Sequence, residues 1–293
     1  MAEDWTIGRL LQWTADYLRQ HGSESPRLEA EVLLAHARSC KRIELYTSFA
    51  DPAGDELRAR FRELVRRRAE GAPVAYLVGH REFYSLDFLV TPDVLIPRPE
   101  TELLVLTALE LLKAPAVASP TVRVADVGTG SGIIAITIAR QAPHARVAAL
   151  DISSAALAVA RQNAERLGVS DRVELVESDL FAAVPVDARF ELIVSNPPYI
   201  STSEYESLAR DVKAYEPRLA LLAGTTGTSV IERLVPQAAG RLTPGGTLLL
   251  EISPMIQQSV EALVHADGHF ESTQAWKDSA GRVRVIQARR RAH

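Results

Sequence analysis

Asp126-Val127-Gly128-Thr129-Gly130-Ser131-Gly132 closes an apolar run, 121–127, and opens a helical pattern, 132–141, so it reads as the turn from a strand into a helix. Its glycines let the backbone turn tightly and bring N–H groups up to a ligand with no Cβ in the way. In a parallel sheet flanked by helices, ligands bind beyond the carboxyl ends of the strands, and this turn stands at such an end. Asp151 closes the next strand, about twenty residues on, where a carboxylate accepts both hydroxyls of a ribose.

The turn and Asp151 together point to an adenosine-containing cofactor. In the dinucleotide pattern Gly-x-Gly-x-x-Gly the third glycine would fall at Ile133, but here it comes one residue early. That spacing, with Asp126 two residues before the first glycine, resembles the methyltransferase turn and favours S-adenosylmethionine. This cofactor has no pyrophosphate, and its ammonium could meet Asp126 or nearby carbonyls. On the turn alone, a dinucleotide or a structural turn without a ligand stays open. Ser178-Asp179-Leu180 follows the next strand at the same end of the sheet. Asp179 can accept from an adenine amine, with Leu180 or Phe181 against the ring; a helix cap is its plainer role.

Outward from this turn the chain alternates. Helical patterns cover 103–112, 132–141, 155–167, 230–239 and 256–266, and strand patterns 121–127, 146–150, 172–176, 190–194, 246–252 and 282–287. Short apolar strands between helices predict an α/β fold, a mostly parallel sheet covered on both faces. The last strand alternates charged and apolar residues, as an antiparallel addition does.

The first ~75 residues read as helices only. Ile7, Leu10, Leu11, Thr14, Tyr17 and Leu18 share one face; Ser25-Pro26 starts a second helix, and 56–68 is a third with arginines opposite Leu57, Phe61, Leu64 and Val65. This predicts a small bundle with nothing catalytic in it. From 74 to 99 the chain reads as short strands and turns, a hairpin linking two domains.

A net charge of −4 argues against a nucleic-acid partner. The runs Arg66-Arg67-Arg68 and Arg289-Arg290-Arg291 read as a solvated helix face and a frayed tail. The single Cys40 can form no internal bridge and is expected to be buried and inert. The acidic start, Met1-Ala2-Glu3-Asp4, predicts no secretory leader, and apolar runs are too short to span a bilayer, so a cytoplasmic location is expected.

Asn196-Pro197-Pro198-Tyr199 follows the strand 190–194 and so lies at the ligand end of the sheet. The prolines fix the backbone and leave carbonyls free, the asparagine adds another oxygen, and the tyrosine adds a flat face. A planar NH2 group is a poor nucleophile because its lone pair is delocalised. Acceptors for both of its hydrogens, at the Asn196 side chain and the Pro197 carbonyl, hold the lone pair toward an electrophilic methyl and stabilise the positive charge reaching nitrogen. Tyr199 stacks on the amide plane. No general base and no metal are called for. The plain reading is a structural Pro-Pro turn.

At these residues the sequence resembles the amino-methyltransferases that carry Asn-Pro-Pro-Tyr. Ile96-Pro97-Arg98-Pro99-Glu100-Thr101-Glu102, Pro73-Val74-Ala75-Tyr76-Leu77-Val78-Gly79 and Tyr215-Glu216-Pro217-Arg218-Leu219-Ala220-Leu221 are similar to segments of the peptide chain release factor N5-glutamine methyltransferases. The likeness runs from about residue 72 onward. It implies a seven-stranded, Rossmann-like methyltransferase sheet over 100–293, a hairpin linker over 73–99 and a helical substrate-binding domain over 1–72. It also implies the reaction, transfer of a methyl group from S-adenosylmethionine to the glutamine of the Gly-Gly-Gln motif in class I release factors, leaving S-adenosylhomocysteine. On that resemblance Gly128, Thr129, Gly130, Ser131, Gly132, Asp151, Asp179, Leu180 and Asn196 hold the cofactor. Asn196, Pro197 and Tyr199 are catalytic, the four residues from Asn196 to Tyr199 hold the glutamine, and Arg98 and Glu100 either brace the substrate channel or form a structural salt bridge. Ile252-Ser253-Pro254 after Glu251 departs from the glycine that the family pattern leads one to expect there.

The expected partner is a release factor, acted on by a monomer, with no membrane or direct nucleic-acid partner. A ribosomal-protein glutamine methyltransferase shares the chemistry and is the nearest alternative. A nucleic-acid adenine N6-methyltransferase would need a basic groove and a target-recognition domain. A cofactor-binding scaffold without catalysis would tolerate loss of Asn196.

Overall fold

The computed structural model describes residues 5–113 and 121–292, so the acidic start at residues 1–4 lies outside it. The chain divides into two compact units, Met1–His80 with Arg210–Tyr215, and Arg81–Ala209 with Glu216–His293.

The first unit is the helical one: α1 (Ile7–Gln20), α2 (Pro26–Arg38), α3 (Arg42–Thr47), α4 (Asp55–Ala69) and α5 (Val74–Val78). Thr6 caps α1 by accepting from the Arg9 N–H at 3.2 Å, and Pro26 opens α2 where a missing N–H costs nothing. Leu11, Leu18, Leu33, Leu34, Leu45, Phe61 and Val65 are buried together. The segment expected to be strand or turn at 74–78 is α5, with Leu77 and Val78 in that core and Ala75 also buried. Five residues give too little periodicity to announce a helix. Arg66 pairs with Glu63 and Glu70, and Arg68 holds Glu29 of α2 through two bonds of 2.8 and 3.0 Å, so this arginine run is largely neutralised within its own unit. Cys40 is half-buried, not fully buried, and burial pushes its thiol up.

The second unit begins within a hairpin, β1 (His80–Phe83, whose first residue counts with the first unit) and β2 (Leu86–Leu89). Then come α6 (Thr101–Lys113), β3 (Val122–Val127), α7 (Ile133–Gln141), β4 (Ala145–Asp151), α8 (Ser154–Arg166), β5 (Val173–Glu177) and β6 (Phe190–Ser195). The chain continues through α9 (Thr202–Ser207), α10 (Arg210–Tyr215, packed with the first unit), α11 (Ser229–Arg241) and β7 (Leu242–Glu251), then α12 (Gln257–Asp267), β8 (Phe270–Lys277) and β9 (Val283–Arg290).

Seven strands form one sheet in the order β5-β4-β3-β6-β7-β9-β8, parallel as far as β7. As the charge alternation predicted, β9 is antiparallel to β7. The sequence reading passed over β8, because only Phe270 of its eight residues is fully buried and no apolar pattern marks it. The arginine run at 289–291 is no frayed tail: Arg289 pairs in register with Thr247 and Arg290 with Phe270, so the run closes β9. Side chains alternate between the two faces. Val122, Val124, Leu192 and Val194 pack with α6 and α7, whereas Ala125, Val127, Ile193 and Leu250 pack with α11 and α12. Being buried on both sides makes these strands almost wholly apolar.

The order reverses at β3, which has β4 on one side and β6 on the other. There Val127 pairs with Leu150 and with Ser195, and Ser195 with Leu250, so four strands end level at one crevice. Among the described residues no helix is long and apolar enough to cross a membrane.

Candidate functional site

A cavity of about 400 Å³ opens at that crevice, within the range of small-molecule sites. The glycine turn forms its floor. The N–H groups of Gly128 and Thr129 both donate to the Leu150 carbonyl, at 2.8 and 2.9 Å, which ties the turn to β4. Gly128 and Gly130 have φ of +77° and +56°, and a Cβ at either would meet nothing within 4 Å. Glycine is needed there for the backbone conformation, with open space above it for a ligand. Gly132 lies off the cavity wall; a Cβ on it would come within 2.6 Å of the Ile136 side chain and 3.2 Å of Ala160. Its smallness serves the packing of α7.

Asp126 is fully buried and also off the wall. Its Oδ2 accepts from the Thr129 hydroxyl at 2.7 Å and the Ala135 N–H at 3.1 Å, while Oδ1 has no partner among the described residues. Burial outweighs those two donors and pushes its pKa up to about 7. This carboxyl braces the turn from behind instead of facing a ligand's ammonium. Asp151 is on the wall, as expected. Its two oxygens accept from the Gly130 N–H at 2.8 Å and the Ser153 N–H at 2.9 Å. Burial raises its pKa, and the N–H groups of Ser153, Gly130 and Ile152 pull it back. Each oxygen keeps a lone pair free for a ribose hydroxyl.

Asp179 and Leu180 also line the cavity. Asp179 is half-exposed and pairs with Arg233 at 2.6 Å, a partner the sequence did not suggest. Leu180 is buried with φ +52°, a left-handed conformation uncommon outside glycine, and so is held under strain at the wall. Behind the turn, Asn163 donates to the carbonyls of Ser131 at 2.9 Å and Leu89 at 3.0 Å and accepts from the Leu89 N–H at 2.7 Å. It was missed in the sequence. An asparagine among the alanines of the buried face of α8 was the signal for it.

Of the Asn-Pro-Pro-Tyr motif, Asn196 and Pro198 are on the wall; Pro197 and Tyr199 are not. Asn196 Nδ2 donates to the Thr101 hydroxyl at 3.2 Å. Thr101 is the first residue of α6, and both it and Glu251, the last residue of β7, are buried. Burial pushes Glu251 up to about 7, and the side chains of Thr101 and Asn196 face it as hydrogen-bond donors that oppose the shift. Burial, reinforced by the Glu251 charge, pushes the Tyr199 hydroxyl up to about 12. Arg98 lines the cavity and pairs with Glu216 at 2.6 Å, and Glu100 lies 3.7 Å from Arg284.

Residues 9–79 match the PrmC N-terminal domain and residues 103–212 the methyltransferase small domain. The release factor glutamine methyltransferase of Rhodopirellula baltica is 52% identical over 282 residues, which cover 96% of this chain and 95% of that one. The chain belongs to the release factor glutamine methyltransferase family. The member from Geobacter sulfurreducens is 44% identical over 287 residues, with 98% of each chain covered. Among solved structures, the Thermus thermophilus 16S rRNA N2 G1207 methyltransferase with AdoMet and guanosine superposes with a TM-score of 0.53 at 22% identity, covering 72% of this chain and 50% of that one. At that identity the likeness concerns the fold alone.

Membership of the release factor glutamine methyltransferase family makes the chain an S-adenosylmethionine-dependent methyltransferase of protein glutamine, which removes the dinucleotide reading of the turn. The residues present fit that cofactor. The site offers open space over Gly128 and Gly130, a carboxylate at Asp151 with spare lone pairs, and an apolar wall at Leu180.

Proposed function

We propose that the chain methylates the side-chain amide nitrogen (N5) of the glutamine in the Gly-Gly-Gln motif of class I peptide chain release factors. The observation that carries this reading is the seating of Asn196 on the cavity wall beside Thr101, where its amide nitrogen is engaged by the Thr101 hydroxyl and its oxygen is the atom left to accept from a substrate. The near full-length identity to relatives named for this substrate supports it.

Bound S-adenosylmethionine supplies an electrophilic methyl on a sulfonium. Gly128, Thr129, Gly130, Ser131 and Gly132 form the turn that holds it, Asp151 takes the ribose hydroxyls, and Asp179 and Leu180 flank the adenine. The Asn196 oxygen, on the cavity wall, and the Pro197 carbonyl, next to it in the chain, accept from the two hydrogens of the glutamine NH2; Pro198 flanks its plane, and we assign the stacking face to Tyr199, which lies off the wall in this structure. Held this way, the nitrogen lone pair would take the methyl group that a bound S-adenosylmethionine would supply, the displaced electron pair staying with its sulfur. These acceptors stabilise the charge that reaches nitrogen, and the protonated amide, a strong acid, gives its extra proton to water. We assign substrate holding to residues 1–72 and catalysis to residues 100–293, with 73–99 between them.

Mass spectrometry of a release factor incubated with the chain and S-adenosylmethionine tests this. One added methyl on the loop glutamine is expected. Methyl transfer to a ribosomal protein, DNA or rRNA in parallel incubations, with the release factor left unmodified, would overturn it.

A further inference from the structure

We propose that Glu251, acting with Thr101, is a positioning residue that fixes which way the Asn196 amide faces. The inference rests on the catalytic role given above to the Asn196 oxygen, and it begins from sheet register. Ser195, the last residue of β6, pairs with Leu250, so Asn196, just past β6, stands level with Glu251, the last residue of β7, although the two are far apart in sequence. Thr101 arrives from α6, and its hydroxyl accepts from Asn196 Nδ2 at 3.2 Å.

The chemistry of the three groups then permits one arrangement. Above about pH 7 Glu251 is ionised and only accepts hydrogen bonds, and a hydroxyl that gives its hydrogen to that carboxylate can only accept from a third group. Register brings Glu251 level with Asn196, Asn196 Nδ2 bonds Thr101, and both side chains act on the Glu251 carboxyl to hold its pKa down, as donors do. Asn196 therefore meets two acceptors on its inner side, and its NH2 must turn to them. The oxygen is then held on the side away from Glu251, and Asn196 itself lines the cavity. Flipped by half a turn, the amide would set its oxygen against the Glu251 carboxyl and aim its own NH2 at the NH2 of the substrate, donor against donor. Glu251 is buried and its Oε2 has no partner among the described residues, so structural hydrogen bonding does not consume the group. A buried carboxyl with one oxygen left unpartnered is costly to keep, and the orientation of Asn196 is what it provides.

The test uses the full chain, S-adenosylmethionine and whichever protein acceptor the wild type methylates, so it stands apart from the identity of the substrate. Glu251→Ala is expected to lower kcat on the order of 100-fold, comparable to losing one transition-state hydrogen bond. Cofactor affinity by calorimetry and KM for the acceptor should stay within several-fold. Glu251→Gln, whose side-chain oxygen still accepts from Asn196, should restore most of kcat. Wild-type kcat in Glu251→Ala, or a Glu251→Gln enzyme as slow as Glu251→Ala, overturns the proposal. Thr101→Val keeps the shape of the side chain without its hydroxyl and should lower kcat about 10-fold. Should Glu251→Ala fail to fold, this variant decides, and an unchanged kcat in it overturns the proposal.

Discussion

Arg98 and Glu216 meet at 2.6 Å, and the glutamate side chain is all but fully buried while the arginine stays partly open to the cavity. Each comes from a segment that carries the family resemblance, and the ion pair clamps the chain before α6 to the chain before α11. The second oxygen of Glu216 has no partner among the described residues, so Arg98 alone offsets the burial of that charge. Arg98→Ala is expected to cost about 1–3 kcal/mol, discounted because the arginine is partly solvated. Urea denaturation would show it, and an unchanged midpoint would mean that the pair only decorates the surface.

Asn196→Ala removes the side-chain acceptor placed at the cavity wall. Methyl transfer should fall roughly 100- to 1,000-fold, the usual loss for one preorganised transition-state contact. Calorimetric affinity for S-adenosylmethionine should stay within several-fold. Transfer at the wild-type rate would remove Asn196 from the mechanism.

Asp151→Ala should act on binding instead. It deletes the wall carboxylate and also frees the Gly130 N–H that the carboxylate holds at 2.8 Å. A loss of about 10- to 100-fold in cofactor affinity follows from one or two charge-assisted bonds. An affinity equal to wild type would show that the ribose is held elsewhere.

Asp126 gives a pH dependence with a definite sign. Its pKa rises to about 7 in the folded chain, against about 3.9 when unfolded. Between those values the folded state binds more protons than the unfolded one, so this group makes stability fall as pH rises from about 4 to about 7, and level off above. Both donors go to Oδ2 and none to Oδ1, so an amide can keep both bonds and place its NH2 where the orphan oxygen lies. Relative to wild type, Asp126→Asn should gain about 2 kcal/mol between pH 5 and pH 8. Denaturation midpoints at the two values check this, and a difference independent of pH would refute the protonation argument.

Much of this site was legible because its residues stand at strand ends. The glycine turn, Asp151 and the Asn-Pro-Pro-Tyr motif each follow an apolar strand, and a parallel sheet brings such ends to one crevice whatever lies between them. What the sequence hid depends on register. That Glu251 stands beside Asn196 follows from the pairing of Ser195 with Leu250, which no local pattern encodes. Arg233 against Asp179 and Asn163 against Ser131 are likewise tertiary contacts. The strand β8 escaped because its exposure removes the apolar signal, and α5 because a single turn is too short to show a period.

The insertion of β9 between β7 and β8 has a consequence for folding order. The strand that ends in Glu251 keeps an open edge until residues 283–290 have come back to cover it. A chain stopped before that return would present Leu248, Leu249 and Leu250 as an unguarded apolar template, ready to recruit a strand from another molecule. The last strands to be made therefore seal the apolar edge of the very strand that carries Glu251 to the crevice.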